Sequence, residues 1–266
     1  MNWLLMVIYF AIAISATTVG ALTGMGGGVI IKPVLDMIGG YDVATIGILS
    51  CVTVFAMSVS SIVRKVMQKS KFPVKLALYL SVGSMLGGLL GQNLLDHAIE
   101  AMGSGVKVTI LQNVLLAILI LGVFIYMLKK ENVPDYDLEG MIPSVLCGVF
   151  LGTVSSFLGI GGGPINVAIL IFLFPVDTKD ATICSIITIF FAQISKILTV
   201  AFTTGFAIYD LSMLPAMVIG GVVGGLIGAS LNKKVSIQKV ELWFNIVQIV
   251  VLLISVYNIV SNVMAL

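Results

Sequence analysis

The chain has 266 residues, 59% hydrophobic and only 10% charged, with a formal net charge of +2 and a mean hydropathy of +1.17. A soluble domain carries about a quarter charged residues and a little under half apolar ones, so this composition cannot clothe a globular surface in water. It argues against a soluble enzyme, a nucleic-acid binder and a disordered chain, and leaves an integral membrane protein embedded over most of its length.

A membrane-crossing helix needs about 20 apolar residues. The first such run, 3–23, has no basic residue after Met1 and is longer than a signal-peptide core, so it is read as retained. Gly24-Met25-Gly26-Gly27-Gly28 follows, then a run of half a span at 29–38. Full spans are predicted at 43–62, 76–95 and 108–128. The borderline run 141–158 leads to Gly159-Ile160-Gly161-Gly162-Gly163 and a second half-span at 164–174, before full spans at 181–202, 211–231 and 242–263. Cys51, Cys147 and Cys184 sit inside apolar runs at no disulfide or zinc spacing, and the one histidine, His97, lies beside Asp96 in a polar connection. No metal or other cofactor is expected.

The chain repeats itself. The G-x-G-G-G loop recurs 135 positions later, and the stripe Gly83, Gly87, Gly91 recurs 137 positions later as Gly220, Gly224, Gly228. Between them Ala44-Thr45-Ile46 matches Ala181-Thr182-Ile183, and Ser58 matches Ser195. The halves are 1–130 and 131–266. Basic residues orient them. Connection 64–75 holds Arg64, Lys65, Lys69, Lys71 and Lys75 and is predicted cytoplasmic, whereas its counterpart 203–210 holds none. Connection 232–241 holds Lys233, Lys234 and Lys239, whereas its counterpart 92–107 holds only Lys107. Corresponding loops therefore face opposite sides, and the repeats are expected to be inverted. Loops 64–75, 129–139 and 232–241 fall inside and both chain ends outside. Segment 141–174 enters from the cytoplasm and returns to it, and 3–38 does the same from the outer face, each broken at its glycine loop. The expected fold is all-α and polytopic, with two inverted repeats, each a broken or re-entrant helix pair followed by three spans.

Consecutive glycines weaken a helix by about 1 kcal/mol each relative to alanine, and an opened turn exposes amides that lipid cannot satisfy. Paired broken helices in inverted repeats mark the midplane site of many secondary transporters. The half-helices would aim free N–H groups and positive dipole ends at that site, which suits an anion, and Pro164 fits a first helical position. The candidate substrate-binding residues are Gly26, Gly27 and Gly28 with Gly161, Gly162 and Gly163; the intramembrane cations Lys32 and Lys196; and the polar side chains Ser58, Asn166, Gln193 and Ser195. Glycine stripes 83–91 and 220–228 read as packing surfaces, which could also join copies of the chain. Asp36, Asp42, Asp96, Asp177, Asp180 and Asp210 all fall near segment ends, so no coupling group is visible.

Two halves that each open with G-x-G-G-G, a short apolar helix and an Ala-Thr segment resemble the TauE/SafE sulfite exporter family of bacterial membrane transporters, over nearly the whole chain. The resemblance implies a plasma-membrane transporter of small sulfur-containing anions such as sulfite and organosulfonates, often moved outward, with the loop glycines and nearby polar groups forming the site. Family halves commonly read Ala-Thr-Ser where this chain has Ile46 and Ile183, and many members look apolar where Lys32 and Asn166 stand. A carboxylate or other non-sulfur anion is the alternative substrate, and an anion channel the alternative mechanism. An embedded enzyme is the weakest reading, because no His, Asp, Glu or Cys cluster lies in the interior.

Overall fold

The computed structural model describes residues 3–70, 72–133 and 136–264. Among them the chain forms ten α-helices, one short 3-10 turn at Lys130–Asn132 and no strand. Helices α1 (Trp3–Thr23), α3 (Val43–Met67), α4 (Val74–Met102), α5 (Gly105–Lys129), α6 (Met141–Leu158), α8 (Thr178–Phe202), α9 (Leu214–Lys234) and α10 (Ile237–Met264) are long and apolar enough to cross a bilayer. At 1.5 Å rise per residue, α2 (Gly28–Ile38) and α7 (Pro164–Leu173) reach only about 15–17 Å, half the hydrocarbon thickness. Leu78, Leu86, Ile118 and Leu253 turn outward from the bundle, as a surface facing acyl chains requires.

Two connections expected to be long are short. Residues 92–102 and 232–234 continue α4 and α9, leaving only 103–104 and 235–236 between helices. Polar residues extend a helix beyond the apolar run when local partners are at hand: Gln92 Nε2 donates to Asp96 Oδ1 at 2.8 Å, and His97 Nδ1 pairs with the Asn93 carbonyl at 2.8 Å. Both helices that follow the half-helices are capped alike. The Asp42 carboxylate accepts from the amides of Ala44 and Thr45, and that of Asp177 from Lys179 and Asp180, contacts that stabilise a helix start by roughly 1 kcal/mol.

The packing is exchanged between the halves. Helix α1 lies on α9 as α6 lies on α4; α3 meets α9 as α8 meets α4; and α2 touches α10 as α7 touches α5. Helices α3 and α8 pack on each other, as do α5 and α10. The glycine stripes make the closest of these contacts. A methyl group on Gly83, Gly87 or Gly91 would overlap the backbone carbonyls of Val145, Val149 and Thr153 on α6. One on Gly220, Gly224 or Gly228 would collide with residues 10–22 of α1. Both stripes are thus covered by helices of the same chain.

Gly87→Ala is therefore expected to lower the thermal stability of the purified protein by the ~1–3 kcal/mol typical of overpacking. Gly122 on α5 has no atom within 4 Å of an added methyl, and Gly122→Ala should stabilise by about 1 kcal/mol through helix propensity. Equal melting temperatures for the two variants would refute the packing role of the stripe.

Candidate functional site

The two G-x-G-G-G loops meet inside the bundle. A methyl on Gly26 would lie 2.8 Å from the Gly161 carbonyl oxygen, and one on Gly28 would overlap the Ile160 carbonyl. Gly162 crosses the same place, 3.4 Å by that measure from the Met25 carbonyl. The turns match in backbone conformation as well as in sequence: φ is +79° at Gly24 and +66° at Gly159, +74° at Gly26 and +63° at Gly161. Only glycine enters that left-handed region without strain, and it ends α1 and α6 abruptly. The loops then diverge by one residue. Gly28 begins α2, whereas its counterpart Gly163 has φ +153° and stays outside α7, because Pro164 disfavours helical geometry in the residue before it.

Breaking α1 and α6 frees carbonyls that lipid cannot bond, and side chains from neighbouring helices take them. Asn232 Nδ2 donates to the Leu22 carbonyl at 2.7 Å, and Ser185 Oγ to the Gly24 carbonyl at 2.6 Å. The Thr182 hydroxyl lies 3.4 Å from the Thr23 carbonyl. At the end of α6, Gln112 Nε2 donates to the Phe157 carbonyl at 2.6 Å and Lys196 Nζ to the Ser156 carbonyl at 3.4 Å. Asn232 in turn accepts from Lys65 Nζ, a lysine expected in a cytoplasmic connection and found buried near the end of α3.

Lys196 is 2% exposed, and its long bond to Ser156 is a weak one. Among the described residues no carboxylate lies within ion-pair distance of it. Its ammonium faces Gly47, at 3.6 Å from where a methyl there would stand. Gly47 also meets Gly159, so Lys196 stands at the edge of the second loop. Lys32 approaches the same point from α2, its Cδ and Cε 3.3 Å from the corresponding position on Gly159. Its Nζ, however, turns to Asp36 Oδ2 at 2.9 Å, with both side chains buried. Asn113 Nδ2 reaches the same oxygen at 3.3 Å, and Asn258 Nδ2 bridges the Pro33 carbonyl (2.9 Å) and Asn113 Oδ1 (3.4 Å). Asp36, read from sequence as a segment-end residue, is thus the buried partner of an intramembrane lysine.

The other candidates divide. Gln193 is buried, and its Nε2 has no hydrogen-bond partner among the described residues; it stands 3.2 Å from a methyl position on Gly161. Asn166, in the first turn of α7, is buried with Oδ1 unpartnered. Ser58 Oγ bonds back to the Val54 and Phe55 carbonyls of its own helix, and Ser195 Oγ donates to the Met85 carbonyl of α4. Gly27 packs on Thr17, and Gly163 on the Ile160 side chain. Sequence reasoning missed Ser50, whose buried, unpartnered hydroxyl lies 2.9 Å from the methyl position of Gly28. A buried ammonium, an amide N–H2 and a hydroxyl, each short of acceptors, thus gather where the two broken helices cross. Such a group of donors suits an oxyanion.

Residues 9–256 match the family model described as "Sulfite exporter TauE/SafE". The chain is also 29% identical over 251 residues to a protein of Methanocaldococcus jannaschii named "Probable membrane transporter protein", covering 88% of this chain and 87% of that one. A match over nearly the whole length, on a fold whose crossed glycine loops lie at its centre, makes this polytopic membrane protein a member of the TauE/SafE sulfite exporter family.

Proposed function

We propose that the protein is a secondary transporter of a small oxyanion, sulfite or an organosulfonate, and an exporter as the family description suggests. The substrate binds at the crossing of the two loops, and access alternates by movement of one half against the other. The observation that carries this reading is the buried Lys196 ammonium, held beside the second loop by one long hydrogen bond and no carboxylate. A charge out of water is costly unless something compensates it, and a bound anion is the natural counter-ion. Gln193, Ser50 and Asn166 are the remaining polar contacts of the site. The loops are fully buried in this conformation, which favours a carrier passing through an occluded state over a channel with an open filter.

The exchanged packing of α1 on α9 and α6 on α4 supports an approximate two-fold relation between 1–130 and 131–266, and the unequal basic residues of corresponding loops support its inverted sense. In that arrangement 64–75, 129–139 and 232–241 face the cytoplasm, and both ends of the chain lie outside. All three native cysteines are buried, so a single added thiol can be read cleanly. Ile208→Cys, on the exposed 203–210 connection, should react with an impermeant maleimide added to intact cells; reaction only after the membrane is opened would refute the inversion.

Melting curves with sulfite, thiosulfate, methanesulfonate and acetate test the site directly. At least one sulfur oxyanion should raise the melting temperature of the wild type. Lys196→Met exchanges a buried charge for an unpaired Ser156 carbonyl, and should bind that anion at least about tenfold more weakly. Stabilisation by none of the anions, or an undiminished response in Lys196→Met, would overturn the proposal.

A further inference from the structure

Counting the charges around the loop crossing assigns the valence of what it holds. Among the described residues four ionisable side chains are buried there: Lys32, Asp36, Lys196 and Cys51, whose thiol lies 3.9 Å from the Gln193 carbonyl and counts as neutral. Asp36 lies against Lys32 at 2.9 Å and is held in place by Asn113, so that pair contributes no net charge. The elements packed around the pair add none nearby. Helix α10 presents Asn258 and α5 presents Asn113 and Gln112, all neutral, while Asp42 at the start of α3 is occupied in capping. Asp96 on α4 is within electrostatic reach of Lys196 but outside ion-pair distance, and its carboxylate accepts from Gln92. The other buried lysine, Lys65, stands 18 residues beyond Gly47 on α3, about 27 Å away along the axis, bonded to Asn232. Among the described residues no carboxylate stands within ion-pair distance of Lys196, so with that lysine protonated, as an anion bound beside it would hold it, the crossing carries one positive charge.

Building on the anion-transporter reading, we propose that the site is selective for a singly charged anion: Lys196 is its working cation, and Asp36 withholds Lys32 from the substrate. A closed, water-poor site is least costly when its occupied net charge is zero. A sulfonate or hydrogensulfite brings the sum to zero, whereas sulfate or the sulfite dianion leaves an unpaired negative charge beside the Asp36 carboxylate. The Lys32–Asp36 pair is a specificity device, placed against Gly159 so that its charge state is felt at the loop.

A charge ladder tests this. Methanesulfonate, with one charge at any working pH, and sulfate, with two, are titrated against purified protein at fixed ionic strength, and the ratio of their affinities is the readout. The wild type, with a site charge of one, should prefer methanesulfonate. Asp36→Asn frees Lys32 and raises the site charge to two, which should move the ratio toward sulfate by about tenfold or more, the effect of one unit charge across a protein interior. Lys32→Gln with Asp36→Asn restores a site charge of one and should restore the monovalent preference whatever the absolute affinity. Lys32→Gln alone lowers the site charge to zero and should weaken methanesulfonate binding with no gain for sulfate. Should one variant fail to fold, the others still define a slope. A wild-type preference for sulfate, or ratios that do not follow site charge, would overturn the proposal while leaving the anion site intact. Binding of neither anion by any wild-type preparation would instead remove the anion reading on which it rests.

Discussion

A helix interrupted inside a membrane must find partners for the carbonyls it frees, and most of this molecule is arranged around that requirement. Two such interruptions occur, at the ends of α1 and α6, and both are answered by side chains of long helices. Helix α8 serves both breaks. Thr182 and Ser185 near its start attend α1, and Lys196 near its end attends α6. The polar residues of α8 are therefore fixed in position by the breaks they serve, and any movement of one half against the other must exchange these bonds. In the proposed alternating-access cycle, that gives the helix a part in both stability and transport, through the same atoms.

Close approach is the second condition. A loop buried at a helix crossing leaves little room, and the glycines of α4 and α9 remove side chains where α6 and α1 must lie against them. Small residues are how membrane helices gain contact area when no hydrophobic force acts between them and lipid. Here the stripes bind the first arm of each broken helix to a long helix of the other half, so the arm is held while its tip is free of regular structure. Contacts of this kind slide or separate without leaving unpaired polar groups, unlike the hydrogen bonds at the loops.

Much of this was legible in the sequence, and for a physical reason. Apolar run length is set by bilayer thickness, so both half-helices match their runs, 29–38 as Gly28–Ile38 and 164–174 as Pro164–Leu173, whereas polar residues carry α4 seven residues past its run of 76–95. The loop glycines and Lys196 stood out because lipid tolerates neither without cause. The missed features depend on three-dimensional partners. Ser50 looks like any serine in an apolar run until Gly28 is seen against it. Asp36 looks interfacial until α5 and α10 close over it, and Lys65 counts as one more cytoplasmic charge until Asn232 is found on it. Ser58 and Ser195 illustrate the converse: the repeat singled them out, but a serine in a helix can bond backward to its own turn or to a neighbouring helix, and sequence does not distinguish these from a ligand contact.

The chemistry lies where the repeat fails. Several backbone features are duplicated, from the left-handed glycines at the first and third loop positions to the aspartate caps of α3 and α8. The polar groups at the crossing are not: by the repeat spacing Lys196 answers to Val59, Gln193 to Ala56, Lys32 to Val167, Asn166 to Ile31 and Ser50 to Ile187. Each candidate contact has an apolar counterpart in the other half. A carrier that alternates between two faces needs the two backbones to be nearly equivalent, so that neither conformation is strongly preferred. A substrate has no such symmetry, and a pair of identical lysine-bearing loops would place two uncompensated cations around one small anion. Under the proposed reading, keeping a single free lysine, and cancelling the second with a carboxylate four residues along its own helix, lets a symmetric frame hold an asymmetric ligand without excess charge.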